Sequence, residues 1–85
     1  MTVHEVKIVG VKNHHTTTKQ GKPLEITEIH SVDLKPIDSN NNYMVHKFVV
    51  YDNQSIYNVG EKVKVYTIWS TEKKKETTLM VERMQ

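Results

Sequence analysis

Apolar residues recur in this chain at alternate positions, and no stretch holds a helical spacing of three and four. Period-two alternation in segments rich in Val, Ile, Thr and Tyr predicts strands. Five such segments stand out: about Val3 to Val11, Leu24 to Leu34, Tyr43 to Tyr51, Lys62 to Trp69, and Thr77 to Met84. In the second, Leu24, Ile26, His30, Val32 and Leu34 share the apolar face. The third sets Met44, His46, Phe48 and Val50 against Tyr43, Val45, Lys47, Val49 and Tyr51. In the fourth, Val63 and Val65 alternate with Lys62, Lys64 and Tyr66, and in the fifth Leu79 and Val81 lie opposite Met80 and Met84.

The connections carry turn chemistry. Thr16 to Pro23 is a polar hairpin tip with Gly21 for the turn and Pro23 for the exit. Pro36 to Asn42 reads as a flexible loop, Asn58-Val59-Gly60 as a bend into the fourth strand, and Glu72 to Glu76 as the last hairpin tip. Five short strands in 85 residues predict an all-β fold, a small closed antiparallel barrel of OB or SH3-like type.

That length sets one domain, residues 1–85, with a thin core. The chain contains no cysteine, which removes disulfides, thiolate zinc sites and thiol catalysis. Support from a second subunit is therefore expected. No apolar run approaches the ~20 residues of a membrane span, and the first residues lack the apolar core of a signal peptide. The expectation is a cytoplasmic protein with no membrane partner.

Charge is distributed more tellingly than composition. The net charge is only +2, but it is unevenly spread. From Val6 to Leu24 the chain holds Lys7, Lys12, Lys19 and Lys22, with His14 and His15, and no acid. All 10 acidic residues lie outside that stretch. A basic, turn-tipped arm on a small β protein suits a polyanion.

Candidate chemistry is sparse. There is no glycine-rich phosphate cradle, no cysteine nucleophile and no paired carboxylates, so neither an enzyme nor a cofactor is expected. The five histidines lack the ligand spacing of a structural zinc site, and no metal is expected. His14 and His15 are adjacent and on a strand face opposite ways. His30 and His46 read as hydrogen-bonded histidines within apolar strand faces.

Nucleic-acid binding finds more support. Tyr43, Lys47 and Tyr51 share one face of the third segment, and Lys62, Lys64 and Tyr66 repeat the pattern in the fourth. Aromatic–basic interleaving lets bases stack while cations meet the backbone of a single strand. Each feature also has an ordinary reading, since exposed lysines are solvated and tyrosines favour strands. Lys73-Lys74-Lys75 is bracketed by Glu72 and Glu76 and reads as a solvated hairpin tip.

Three anchors carry a resemblance: Lys19 with Gln20-Gly21-Lys22-Pro23 followed by Val32-Asp33-Leu34; then Lys47, Gln54, Tyr57 and Gly60; then Leu79-Met80-Val81-Glu82-Arg83. In order and spacing the chain resembles the gene V proteins, the single-stranded-DNA-binding proteins of filamentous bacteriophages. The resemblance runs from about His14 to Arg83. It implies an OB-fold barrel acting as a symmetric homodimer, with a DNA-binding wing over about 12–28 and a dimer-related hairpin over about 68–80. Carried over, Lys19, Lys47 and Arg83 fall on phosphate-contacting positions, with His14 near another. Leu24 and Ile26 fall on wing positions that touch nucleotides, and Tyr57 on a packed one. The chain departs from the family at Leu24 and Ser31, where tyrosines stand, and at the last hairpin tip, which lacks an aromatic ring.

The resulting expectation is coating and protection of single-stranded DNA during phage or plasmid replication, in the host bacterial cytoplasm if phage-encoded. Lys19, Lys22, Lys47 and Arg83 are expected to supply phosphate charge. Tyr43, Tyr51 and Leu24 are expected to form the base-contacting surface. An RNA-binding regulator, or a small barrel that binds and inhibits a host protein, is the alternative.

Overall fold

In the computed structural model, which describes residues 1–51 and 55–84, the first predicted segment continues far past Val11. Strand β1 spans Thr2–Thr17, followed by β2 (Pro23–Asp33), β3 (Val45–Tyr51), β4 (Lys62–Ser70) and β5 (Lys75–Arg83). The stretch from Lys12 to Thr17 is polar on both faces, so alternation does not reveal it. Its backbone pairing to β2, with His14 opposite Ile26 and Thr17 opposite Pro23, holds it extended.

All five strands form one antiparallel sheet in the order β3-β2-β1-β4-β5, and the described residues include no helix. β1 sits at the centre because it serves two partners. Thr2 to Lys7 pair with β4, and Val6 to Thr17 pair with β2. A bulge between Ile8 and Gly10 adds one residue to β1. Such a bulge bends the strand and inverts its alternation. Val6 and Ile8 therefore point inward before it, whereas Lys12 and His14 point outward after it, on the side that Lys7 already faces.

The inner face carries Val6, Ile8, Ile29, Phe48, Val63 and Val65, all buried, with Val11, Val50, Tyr57 and Val81 packed around them. This corrects the reading of β2, whose buried face holds Thr27, Ile29 and Ser31. Leu24, Ile26, His30 and Val32 lie on the outer face. The register decides this: Ile29 stands opposite both Val11 and Phe48, so it joins their side of the sheet. β3 begins at Val45, which leaves Tyr43 in the preceding loop and off the strand. In β5 a register shift opposite Tyr66 and Thr67 leaves Leu79 unpaired in the ladder, and Leu79 and Met80 are both exposed.

The expected closed barrel is not formed: the sheet is open, with β3 and β5 as its edges. The sheet curls enough to bring those edges near each other. Lys73 Nζ sits 5.8 Å from the centroid of the Tyr51 ring, bridging the β4–β5 turn to the end of β3.

Two loops are fastened. In residues 36–42, expected to be flexible, the Asp38 carboxylate accepts from the backbone N–H groups of Asn40 (2.9 Å) and Asn42 (3.4 Å) and from Asn42 Nδ2 (2.9 Å). Those donors, the Asn42 side chain first, hold the Asp38 carboxyl below its usual range. Before β4, Gly60 takes φ 94° and its N–H donates to the Ile8 carbonyl at 2.7 Å. Asn53 and Gln54 lie outside the described residues.

Candidate nucleic-acid interface

At the end of the β1–β2 hairpin the chain reverses through residues 18–22. Thr18 N–H donates to the Lys22 carbonyl (2.8 Å), Gly21 N–H to the Thr18 carbonyl (2.9 Å), and Lys22 N–H to Thr18 Oγ1 (3.1 Å). Gly21 takes φ 80°, a conformation glycine adopts without steric cost. The backbone groups of the turn thus satisfy one another, while the side chains of Lys19 and Lys22 are exposed. None of the described ion pairs involves either lysine.

The outer face of β1, β2 and β3 continues from this tip in ordered rows. Tyr51, Ile26 and His14 form the row nearest the wing. Val49, Glu28 and Lys12 come next, followed by Lys47, His30 and Gly10, then Val45, Val32 and Lys7. Lys7, Lys12 and Lys47 are exposed, as is Tyr51; Ile26, Leu24 and Val49 are half-buried. Cations and apolar surface therefore alternate over three strands.

Glu28 is the acid in these rows, and basic side chains converge on it. Its carboxylate is hydrogen-bonded by His14 Nε2, with His30 Nε2 at 3.5 Å and Lys47 Nζ at 3.9 Å. The His14 hydrogen bond, helped by the charges of His14, Lys47 and Lys12, holds the Glu28 carboxyl below its ordinary range against a smaller opposing effect of burial.

The expected site residues divide accordingly. His14, Leu24, Ile26, Lys47 and Tyr51 come together on the outer face, with Lys19 and Lys22 at its end. Tyr43 does not join them: it precedes β3 at the opposite end from Tyr51. Six or more residues of extended strand at about 3.3 Å each separate the two. Arg83 is also elsewhere. It stands opposite the buried Val63 on β4, paired to Glu61, donating to the Ile56 carbonyl and lying 5.6 Å from the Tyr57 ring. Its guanidinium fastens the loop before β4, and Tyr57 packs on the core.

Lys7 and Lys12 are the residues that sequence reasoning left out of the site. Their spacing of five would set them on opposite faces of a regular strand. The bulge between them brings both to one face, and no residue pattern announces it. A second omission lies on the inner face. One ring nitrogen each from His4 and His46 and a carboxylate oxygen of Asp33 all lie within 4.8 Å of one another. These three offer ligands suited to a metal ion, although no spacing in the chain suggested it.

Among the described residues, no helix is long and apolar enough to cross a membrane. No family model matches the chain, and no curated protein and no solved structure matches it either.

Proposed function

We propose that the protein binds single-stranded DNA without regard to sequence, coating and protecting it during phage or plasmid replication. The observation that carries this reading is the continuity of the acid-free wing tip with the Lys7, Lys12 and Lys47 face. Lysines there neutralise phosphates, and Tyr51 with Leu24 and Ile26 offers surface on which unpaired bases lie. Lys12, Lys19, Lys22 and Lys47 take the phosphate contacts. Arg83 is left out because its guanidinium is engaged by Glu61, Ile56 and Tyr57.

Topology supports the OB-fold within this proposal. Joining the edges β3 and β5 would turn the observed order into the circuit β1-β2-β3-β5-β4, closed back to β1. In OB-folds the β2–β3 face and the loops after β1 and β4 bind oligonucleotides. Here those loops hold Lys19 and Lys22, and Lys73 and Lys74. The proposed active form is a homodimer joined through the β4–β5 hairpin, where Ile68, Trp69, Leu79 and Met80 leave apolar surface exposed.

The test is titration with labelled oligo(dT), oligo(U) and a duplex at two salt concentrations, read by anisotropy and by Trp69 fluorescence. Saturable binding to oligo(dT), weaker binding to duplex and a salt slope of about −0.7 per phosphate contact are expected. Tighter binding to oligo(U) would favour an RNA regulator. No binding to any of the three at low salt would overturn nucleic-acid binding, and a sedimentation mass of one 9.9 kDa chain at micromolar concentration would overturn the dimer.

A further inference from the structure

We infer that His4, Asp33 and His46 form a binding site for one divalent transition-metal ion of the zinc, cobalt and nickel class. Two imidazoles and one carboxylate suit these borderline ions, with the remaining coordination position left to water.

The sheet itself brings the three together. His4 comes from β1, Asp33 from the end of β2 and His46 from the start of β3, so no two share a strand. Asp33 stands opposite Val6, two residues from His4, and His46 stands opposite Ser31, two residues from Asp33. All three side chains therefore meet on the inner face at one end of the core. Their donor atoms span at most 4.8 Å, and His46 Nε2 is already 2.8 Å from Asp33 Oδ1. Donors bound at about 2.0–2.2 Å to a tetrahedral ion sit roughly 3.4 Å apart, so small side-chain rotations suffice.

Neighbouring groups hold the ligands in the manner expected around a metal. The His46 ring stacks on Phe48 at 5.3 Å with an interplanar angle of 18°, and the His4 ring lies 4.9 Å from His46. His4 Nε2 is 3.2 Å from Thr67 Oγ1 and 3.8 Å from Glu76 Oε1, and Thr67 Oγ1 donates to Glu76 at 3.0 Å. With His4 bound to the ion through Nδ1, Nε2 would keep this partner, as ligating histidines commonly do. Ser31, opposite His46, is fully buried with an unpartnered hydroxyl. A depression lined by Val3, His4, Glu5, Asp33 and Lys35 opens on His4 and Asp33, and a second one, shared with Thr67 and Glu76, opens on His46.

The other histidine–carboxylate group makes a useful contrast. His14 and His30 flank Glu28 on the outer face, but Lys47 lies 3.9 Å from that carboxylate and Lys12 faces it across the strands. Those lysines oppose a second cation there. On the inner face Lys35 and Glu5 both line the depression beside the cluster, and Glu76 adds further negative charge next to His4.

The ion would tie β1, β2 and β3 together beside the open edge, adding to a thin core a cross-link that the unfolded chain lacks. Zn²⁺ or Co²⁺ is titrated into the metal-free 85-residue chain, without nucleic acid, so the result is independent of the function proposed above. One equivalent is expected to bind. The melting temperature should rise by about 10–20 °C at a hundredfold excess over Kd. Co²⁺ should develop visible absorption, and the ring signals of His4 and His46 in the wild-type NMR spectrum should move while those of His14 and His15 stay.

His46→Gln and Asp33→Asn should each weaken binding tenfold or more, whereas the double variant His14→Gln/His15→Gln should bind as the wild type does. No thermal shift, movement confined to His14 and His15, or unchanged affinity in both single variants would overturn the site. The wild-type NMR readout decides the matter even where a variant does not fold.

Discussion

The β1–β2 and β4–β5 hairpins both carry lysines at their tips, Lys19 and Lys22 on the first, Lys73 to Lys75 on the second. The second has more of them, yet Glu72 and Glu76 stand directly beside its run, and Lys73 also rests over the Tyr51 ring. On the first, the nearest acid along the chain from Lys22 is Glu25. The number of lysines therefore does not decide which tip presents a field; the placement of acids does. The sides of the hairpins differ as well. Trp69, Leu79 and Met80 on the second are 61%, 55% and 50% exposed, whereas Leu24 and Ile26 on the first are half-buried. One hairpin therefore presents unanswered positive charge at its tip, and the other presents exposed apolar side chains along its strands.

The largest effect is expected from weakening β1, the strand that pairs with β2 of one hairpin and β4 of the other. Ile8 is fully buried beside the bulge of β1. Ile8→Ala is expected to cost about 2–5 kcal/mol in urea unfolding, a large share of the stability of so small a domain. Leu79→Ala, on an exposed bulged position, should change the stability of the isolated chain by less than about 0.5 kcal/mol.

Next in size is the charge itself. Replacing Lys19 and Lys22 by Ala should weaken oligo(dT) binding for all sequences alike and reduce the magnitude of the log–log salt slope by about 1.4. The matched double variant, Lys73→Ala/Lys74→Ala, should change the slope by less, because flanking acids already offset those charges. Equal slopes in the two variants would erase the difference between the hairpins.

The turn conformations give a smaller effect with opposite signs. Gly21 and Lys74 both adopt left-handed backbone, at φ 80° and 52°. Only the first position is occupied by the residue that tolerates it. Gly21→Ala has free space for its methyl group and should still cost about 1 kcal/mol, from backbone strain alone. Lys74→Gly should stabilise the chain by up to about 1 kcal/mol in thermal unfolding, because it relieves that strain. If both variants lose stability, strain is not what separates the tips.

Much of this architecture was legible in the chain. Alternation marked β4 to within one residue, because Val63 and Val65 alternate with Lys62 and Lys64, and β3 to within two, through its run of β-branched and aromatic residues. It misjudged β2, where Leu24, Ile26 and Val32 outweigh Ile29 in one strand taken alone; partner strands choose the buried face. It ended β1 early, since Lys12 to Thr17 owe their extension to cross-strand hydrogen bonds and not to burial. The wing tip was visible because charge and turn residues are local. The Lys7–Lys12 face and the His4–Asp33–His46 cluster were not, because a bulge and a register between distant segments create them.

The finest test concerns Glu28, the acid that His14, His30 and Lys47 surround on the proposed DNA face. Its carboxyl is held below the ordinary value of 4.5, chiefly by the His14 hydrogen bond. A lowered folded value means that the unfolded chain takes up this proton first as the solution is acidified. The interaction therefore contributes stability above about pH 4.5, and that contribution is lost as pH falls through the folded value. Glu28→Gln cannot titrate, so its stability should fall less steeply than that of the wild type on acidification below pH 4.5. The same variant frees Lys12, Lys47 and His14 from a competing carboxylate, and oligo(dT) should bind roughly threefold tighter at low salt, with the gain shrinking as salt screens it. Weaker binding would mean that Glu28 orders those cations for the ligand, and the wing tip would then be the sole source of the field that distinguishes the two hairpins.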